Sequence, residues 1–186
     1  STNNGSSFQS VNFGLTTLFI RTIAINANGH IFAGSWYGLF RSTDNGANWK
    51  KLADTSAVAF AFNANGHVFA ASPDSGVFRS TDDGITWLKS NNGLINKSVR
   101  SLSIAQSGDI LAGTWGAGVF RSTNNGTTWT SMSVSSPSFI LSVTTNSSGH
   151  IFAGTWNSGV YRSTDGGMNW LKLPLDAASV HKIAID

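Results

Sequence analysis

Ser42-Thr43-Asp44-Asn45-Gly46-Ala47-Asn48-Trp49 is an eight-residue phrase of the form serine, any, aspartate, any, glycine, any, any, tryptophan. It returns as STDDGITW at Ser80–Trp87 and as STDGGMNW at Ser163–Trp170, while Ser122–Trp129 reads STNNGTTW, with Asn124 in the aspartate place. Ser1–Phe8, STNNGSSF, is a worn fifth copy. The phrases start at residues 1, 42, 80, 122 and 163. A period of about 40 residues marks a chain built by repeating one supersecondary unit.

The residue types explain why the phrase should fold as a tight corner. A short acid or amide accepts bonds from nearby backbone N–H groups, serine does so more weakly, and glycine supplies the positive φ that closes the turn. Tryptophan then opens the return strand and buries a large ring beside the corner. Asn124 can accept the same bonds as aspartate, and Phe8 keeps the apolar anchor without the indole N–H. The phrase resembles the Asp-box, or BNR repeat, of sialidases, sortilin-type receptors, xyloglucan-degrading endoglucanases, photosystem II assembly factors and bacterial extracellular Asp-box propellers. That resemblance implies a β-propeller in which the box is a structural corner on the blade rim, away from catalytic centres. Ser42, Asp44, Gly46, Trp49, Ser80, Asp82, Gly84, Trp87, Ser122, Asn124, Gly126, Trp129, Ser163, Asp165, Gly167 and Trp170 are accordingly expected to be structural.

Between boxes the chain alternates short β-forming runs with Gly-containing turns, and no helical periodicity interrupts it. Thr17 to Ile25 is closed by Asn26-Ala27-Asn28-Gly29, and is followed by His30–Ser35, Leu39–Ser42 and Trp49–Leu52. Four such strands make one propeller blade. The expected fold is an all-β propeller of four-stranded antiparallel blades occupying 1–186 as a single unit. Four blades are complete, at about 17–52, 57–89, 98–132 and 138–173. Two orphan strands, 6–12 and 179–186, flank them. The tail SVHKIAID aligns with Ser98–Ala105, the opening strand of the third blade, so it reads as the first strand of a fifth. Bare strand edges recruit other chains. A second copy, or the remainder of a larger protein, is therefore expected to complete the ring.

Composition mainly excludes. Cysteine is absent, which removes disulfides and thiolate metal sites. The net charge of +3 is small and the basic residues are scattered, so no nucleic-acid partner is expected. No run approaches the 18 or so apolar residues of a membrane-spanning helix, so no membrane insertion is expected. All nine acidic residues are aspartate, and three of them hold the aspartate place of a box. Few carboxylates remain for acid–base work. Neither a cofactor nor a metal is expected. The wealth of Ser, Thr, Asn and Gly reads as a bacterial protein that is extracellular, periplasmic or on the cell surface.

Ligand contact is expected on the face opposite the boxes. There the turn between the second and third strands carries Trp36, Trp115 and Trp156, joined by Tyr37, Asp74 in the second blade, and Asn157. Flat indoles beside short polar groups suit the C–H face and hydroxyls of a sugar. Asp54, Asp74 and Asp176 fall on the same face and could supply a glycosidase pair, or be solvated loop residues. Arg41, Arg79, Arg121 and Arg162 each precede a box, and are expected to hydrogen-bond it or pair with its neighbours. His30, His67 and His150, one per blade, are too dispersed for a shared metal. A sialidase-like reading fails for want of glutamate, and a xyloglucanase-like one for want of long loops. The expectation is a non-catalytic module binding a glycan or protein, with a glycoside hydrolase fragment as the alternative.

Overall fold

A computed structural model describes residues 1, 3–132, 139–175 and 179–185. Among them every regular element is a strand. Blade one is β1 (Ile20–Ile25), β2 (Ile31–Ser35), β3 (Leu39–Ser42) and β4 (Lys50–Ala53). Blade two is β5 (Ala59–Phe62), β6 (Val68–Ser72), β7 (Gly76–Ser80) and β8 (Leu88–Lys89). Blade three is β9 (Val99–Ile104), β10 (Ile110–Thr114), β11 (Val119–Ser122) and β12 (Thr130–Met132). Blade four is β13 (Ile140–Thr145), β14 (Ile151–Thr155), β15 (Val160–Ser163) and β16 (Leu171–Lys172). Each blade is an antiparallel meander in sequence order.

The core lies between blades. Phe32 of β2, Phe69 of β6 and Leu111 of β10 hold one register place and are fully buried, because the following blade covers each of them. Between blades two and three, Phe69, Val77, Leu94, Val99, Phe120 and Trp129 form one cluster. Between blades three and four, Met132, Ile140 and Ile151 form another, with Trp170 packed against it. A strand flanked by blades is buried on both faces, so β6 and β10 read as continuous apolar runs rather than alternating ones.

The boxes fold alike. In the first complete one Ser42 Oγ accepts from Gly46 N and donates to Asp44 Oδ1, and Asn48 N donates to the same carboxylate at 2.8 Å. The aspartate thus reaches four residues along the chain, not the two that an Asx turn suggests. Two consecutive residues adopt positive φ, since Asn45, Asp83 and Asn125 lie at 54°, 58° and 56° ahead of the box glycine. The Asp44 O to Ala47 N bond closes a two-residue turn of the mirror-image type, which explains the Asn, Asp or Gly at each fourth place. Even Ser1–Phe8 keeps the pattern, with Gly5 N on Ser1 Oγ and Ser7 N on Asn3 Oδ1.

The two segments expected as orphan strands, 6–12 and 179–186, are not strands among the described residues. Residues 6–12 form no ladder. Instead Phe13 O accepts from Trp49 N and Val11 O from its indole, as Asn92 O and Ser90 O do for Trp129. Residues 179–185 likewise form no ladder, and Asp186 lies outside the described residues. Val180 nevertheless bonds Thr155 O and lies against Gly154, as Ala57 bonds Ser35 O and lies against Gly34.

Candidate functional site

Antiparallel order sends the β1–β2 and β3–β4 turns of each blade to one face, and the β2–β3 turns with the blade connections to the other. The first is the box face. It is occupied by contacts that repeat from blade to blade. Arg41 crosses to the box of blade two, donating from one guanidinium nitrogen to Asp83 O and to Asp83 Oδ2 at 2.6 Å. Asn26 and His30, from the β1–β2 turn, hold the same carboxylate at 2.8 and 2.6 Å. Blade two repeats part of this on blade three, with Arg79 on Asn125 O and Asn63 on Asn125 Oδ1, while among the described residues the buried His67 Nδ1 has no partner. Blade three keeps only the arginine, since Arg121 reaches Gly166 O while pairing with Asp109. There Ala105 and Asp109 stand where the other turns have Asn and His, and Gly166 offers no side chain to hold. A cleft of about 470 Å³ opens at this junction, between Ala105, Asp109, Arg121 and Ser148.

These arginines, expected to serve their own box or its neighbours, thus clasp the box of the following blade. Asp109 is a buried carboxylate paired with Arg121. Burial and the Arg79 charge beside His67 hold its imidazole below the usual histidine value. The box aspartates ionise easily. Asp82 falls to about 2 through Thr86, whose hydroxyl and N–H both donate to it, and Asp165 to about 2 through Asn169. Asp44 is lowered chiefly by the Asn48 side chain.

The turn face differs from blade to blade. Trp115 and Trp156 stand edge to face with ring centres 5.5 Å apart, and Phe139 packs on Trp115 at 4.9 Å. Trp156 is 46% exposed and Trp115 is half-buried, so the expected platform is a partly sunken pair. The Arg100 guanidinium lies over the Trp115 ring at 5.4 Å, and His181 meets Trp156 edge to face at 5.9 Å. Beneath them the first strands and the tail line a cavity of about 240 Å³ that includes Thr22, Ser101, Ser142, Arg100, His181 and Lys182. Its titratable lining residues are all basic. Trp36 sits with Arg21, whose guanidinium covers its ring at 4.8 Å. Tyr37, 67% exposed, borders a shallow hollow with Leu15 and Phe19. Asn157 and Asp74 are exposed at their turns. Asp54 pairs with Lys51, and Asp176 lies outside the described residues.

The structure therefore joins Trp115 with Trp156 but places Trp36 and Tyr37 in separate settings. Arg100, Phe139 and His181 were not singled out from the sequence. A signal existed for one of them, because Arg21 and Arg100 hold the same place in their first strands, each beneath the turn tryptophan of its own blade.

The family described as BNR/Asp-box repeat matches residues 40–51. No curated protein matches the sequence. Among solved structures, an ancestral GH74 enzyme superposes with a TM-score of 0.75 at 24% identity, covering 93% of this chain and 28% of that one. The extracellular domain of BT4673 from B. thetaiotaomicron gives 0.78 at 17% identity, covering 94% and 24%. YCF48 from Cyanidioschyzon merolae gives 0.71 at 16%, covering 96% and 66%. The chain spans about a quarter of the first two. These likenesses establish the fold, a β-propeller of which this chain forms four blades.

Proposed function

We propose that this Asp-box propeller is a non-catalytic binding module of an extracellular protein, taking a glycan on the turn face at the Trp115–Trp156 pair. The observation that carries this reading is that pair itself: two partly exposed indoles in edge contact, rimmed by Arg100 and His181, above a cavity whose titratable groups are basic. Indole faces accept the C–H side of a sugar ring, and the cationic rim favours an acidic sugar over a basic one. On this reading the box face serves the fold and the turn face is left for the ligand. A protein ligand is the second reading, favoured by the likeness to YCF48, which has been solved bound to a D1 peptide. The hydrolase alternative draws on the GH74 neighbours. It is the weaker reading, because the Asp54 carboxylate is engaged by Lys51.

The test is titration of the protein with neutral and uronic-acid oligosaccharides, followed by intrinsic tryptophan fluorescence. Saturable quenching by the acidic set, lost in Trp156→Ala, is expected. Identical weak responses in both proteins would contradict the assignment.

A further inference from the structure

Each internal junction is made by a clasp on one blade and a box on the next, and the clasp is matched to the box it holds. Where the turn between a blade's first and second strands supplies an asparagine and a histidine, as at Asn26 and His30 or Asn63 and His67, the next box has Asp83 or Asn125 at its fourth place, held by the asparagine in both and by the histidine at His30. Where the turn supplies Ala105 and Asp109, the next box has Gly166 there.

Blade four carries the full clasp. Asn146 Oδ1 accepts from Ser148 N and His150 N as Asn26 Oδ1 accepts from Asn28 N and His30 N, so its amide points outward in the same way. Arg162 stands where Arg41 and Arg79 stand, in the register place opposite Phe152. Among the described residues the Arg162 guanidinium and the Asn146 amide nitrogen make no hydrogen bond, and Arg162 Nε is buried without a partner. Phe152 is only half-buried, while its counterparts Phe32 and Phe69 are fully covered. At the other junctions a box glycine forms part of the cover: a Cβ on Gly84 would lie 2.9 Å from Phe32, and one on Gly126 would lie 3.0 Å from Phe69, while Phe60 and Phe62 of β5 also pack on Phe32.

We infer that Asn146, His150, Arg162 and Phe152 form a socket for the corner of one more Asp-box blade, and that this box has Asp or Asn at its fourth place. The occupant follows from continuity with the three internal junctions, each of which sets an arginine on the box of the following blade, and from Val180, which already sits where the first strand of such a blade begins. The inference is independent of the ligand proposed for the turn face. Glycine at the fourth place is disfavoured, because the Asn146 amide would face no acceptor.

The test compares this chain with one extended after Asp186 by a copy of residues 106–132, which supplies the second to fourth strands and a box with the copy of Asn125 at its fourth place. Melting midpoints are measured for both, with and without Arg162→Ala. The extension is expected to resist limited proteolysis. Arg162→Ala is expected to leave the native chain unchanged and to lower the extended chain by about 2–6 °C. Asn125→Gly within the copy is expected to cost less, and to cost nothing further once Asn146→Ala is present. Cleavage of the extension as a free tail, or an equal effect of Arg162→Ala in both chains, would overturn the inference. So would a dimer of the native chain that Arg162→Ala returns to monomer, since the socket would then belong to a second copy.

Discussion

The two faces of the propeller are built by opposite rules. On the box face the same contacts recur at each junction: serine to glycine, aspartate to the seventh place, arginine to the next blade. On the turn face the arginine-on-tryptophan contact of blades one and three is shared, but the surroundings differ from blade to blade. Blade one pairs Trp36 with Arg21, blade two has Asp74 and no indole, and blades three and four share a tryptophan pair. Repetition satisfies the backbone and side-chain groups that burial would otherwise leave unpaired. Variation where nothing structural is required leaves room for recognition. Substitutions on the first face should therefore register as stability and those on the second as binding.

The largest effect is expected at Trp129. Its ring is 3% exposed, lies in the cluster between blades two and three, and donates its indole N–H to Ser90 O at 2.7 Å. Trp129→Ala should cost about 3–5 kcal/mol in chemical denaturation. Trp49→Ala should cost visibly less, because its ring is only half-buried against the N-terminal segment. Equal losses would show that the box tryptophan acts locally and not through its junction.

Next comes Gly126. Its φ is 78°, and a Cβ there would lie 2.5 Å from Ser90 Oγ and 3.0 Å from a Phe69 ring carbon. Gly126→Ala should cost about 2–3 kcal/mol from backbone strain and overpacking together. Arg79→Ala follows at about 1.5–3 kcal/mol, the range for a hydrogen bond to a charged group, here the one that Arg79 makes to Asn125 O. An unchanged denaturation midpoint would remove the clasp from the account.

The smallest effect is on acid stability. The Asp82 and Asp165 carboxylates lie at about 2 in the folded protein, below the ordinary 3.8. A depressed value means that the folded state favours the ionised form, so the stabilisation is present above about pH 4 and is lost as pH falls towards 2. Blade three carries Asn124 and lacks this term. Asn124→Asp should steepen the fall in melting temperature between pH 4 and 2, and an unchanged slope would mean that these bonds do not couple to folding.

Much of the box face was legible in the sequence because its logic is local. Ser, Asp and Gly fix the turn within eight residues, and their recurrence gives the blades. The clasp was not legible, because Asn26, His30 and Arg41 meet Asp83 only after two blades have stacked, across 42 to 57 residues. The same limit applies to the turn face. Three tryptophans at equivalent places looked alike, but only the arrangement around the axis pairs Trp115 with Trp156 and leaves Trp36 beside Arg21. The segments expected as orphan strands form no ladder, since a ladder needs a neighbour as well as a β-forming sequence.

The division of labour between the faces is tested most directly by the melting temperature of Trp156→Ala. Its ring contacts Trp115 and His181 at a half-exposed site, and it is the same residue type as Trp129. The account predicts a cooperative transition within about 2–4 °C of the wild type, the shift that 1 kcal/mol produces in a chain of this size. A loss as large as that of Trp129→Ala would place Trp156 in the structural core and take the turn face away from the ligand.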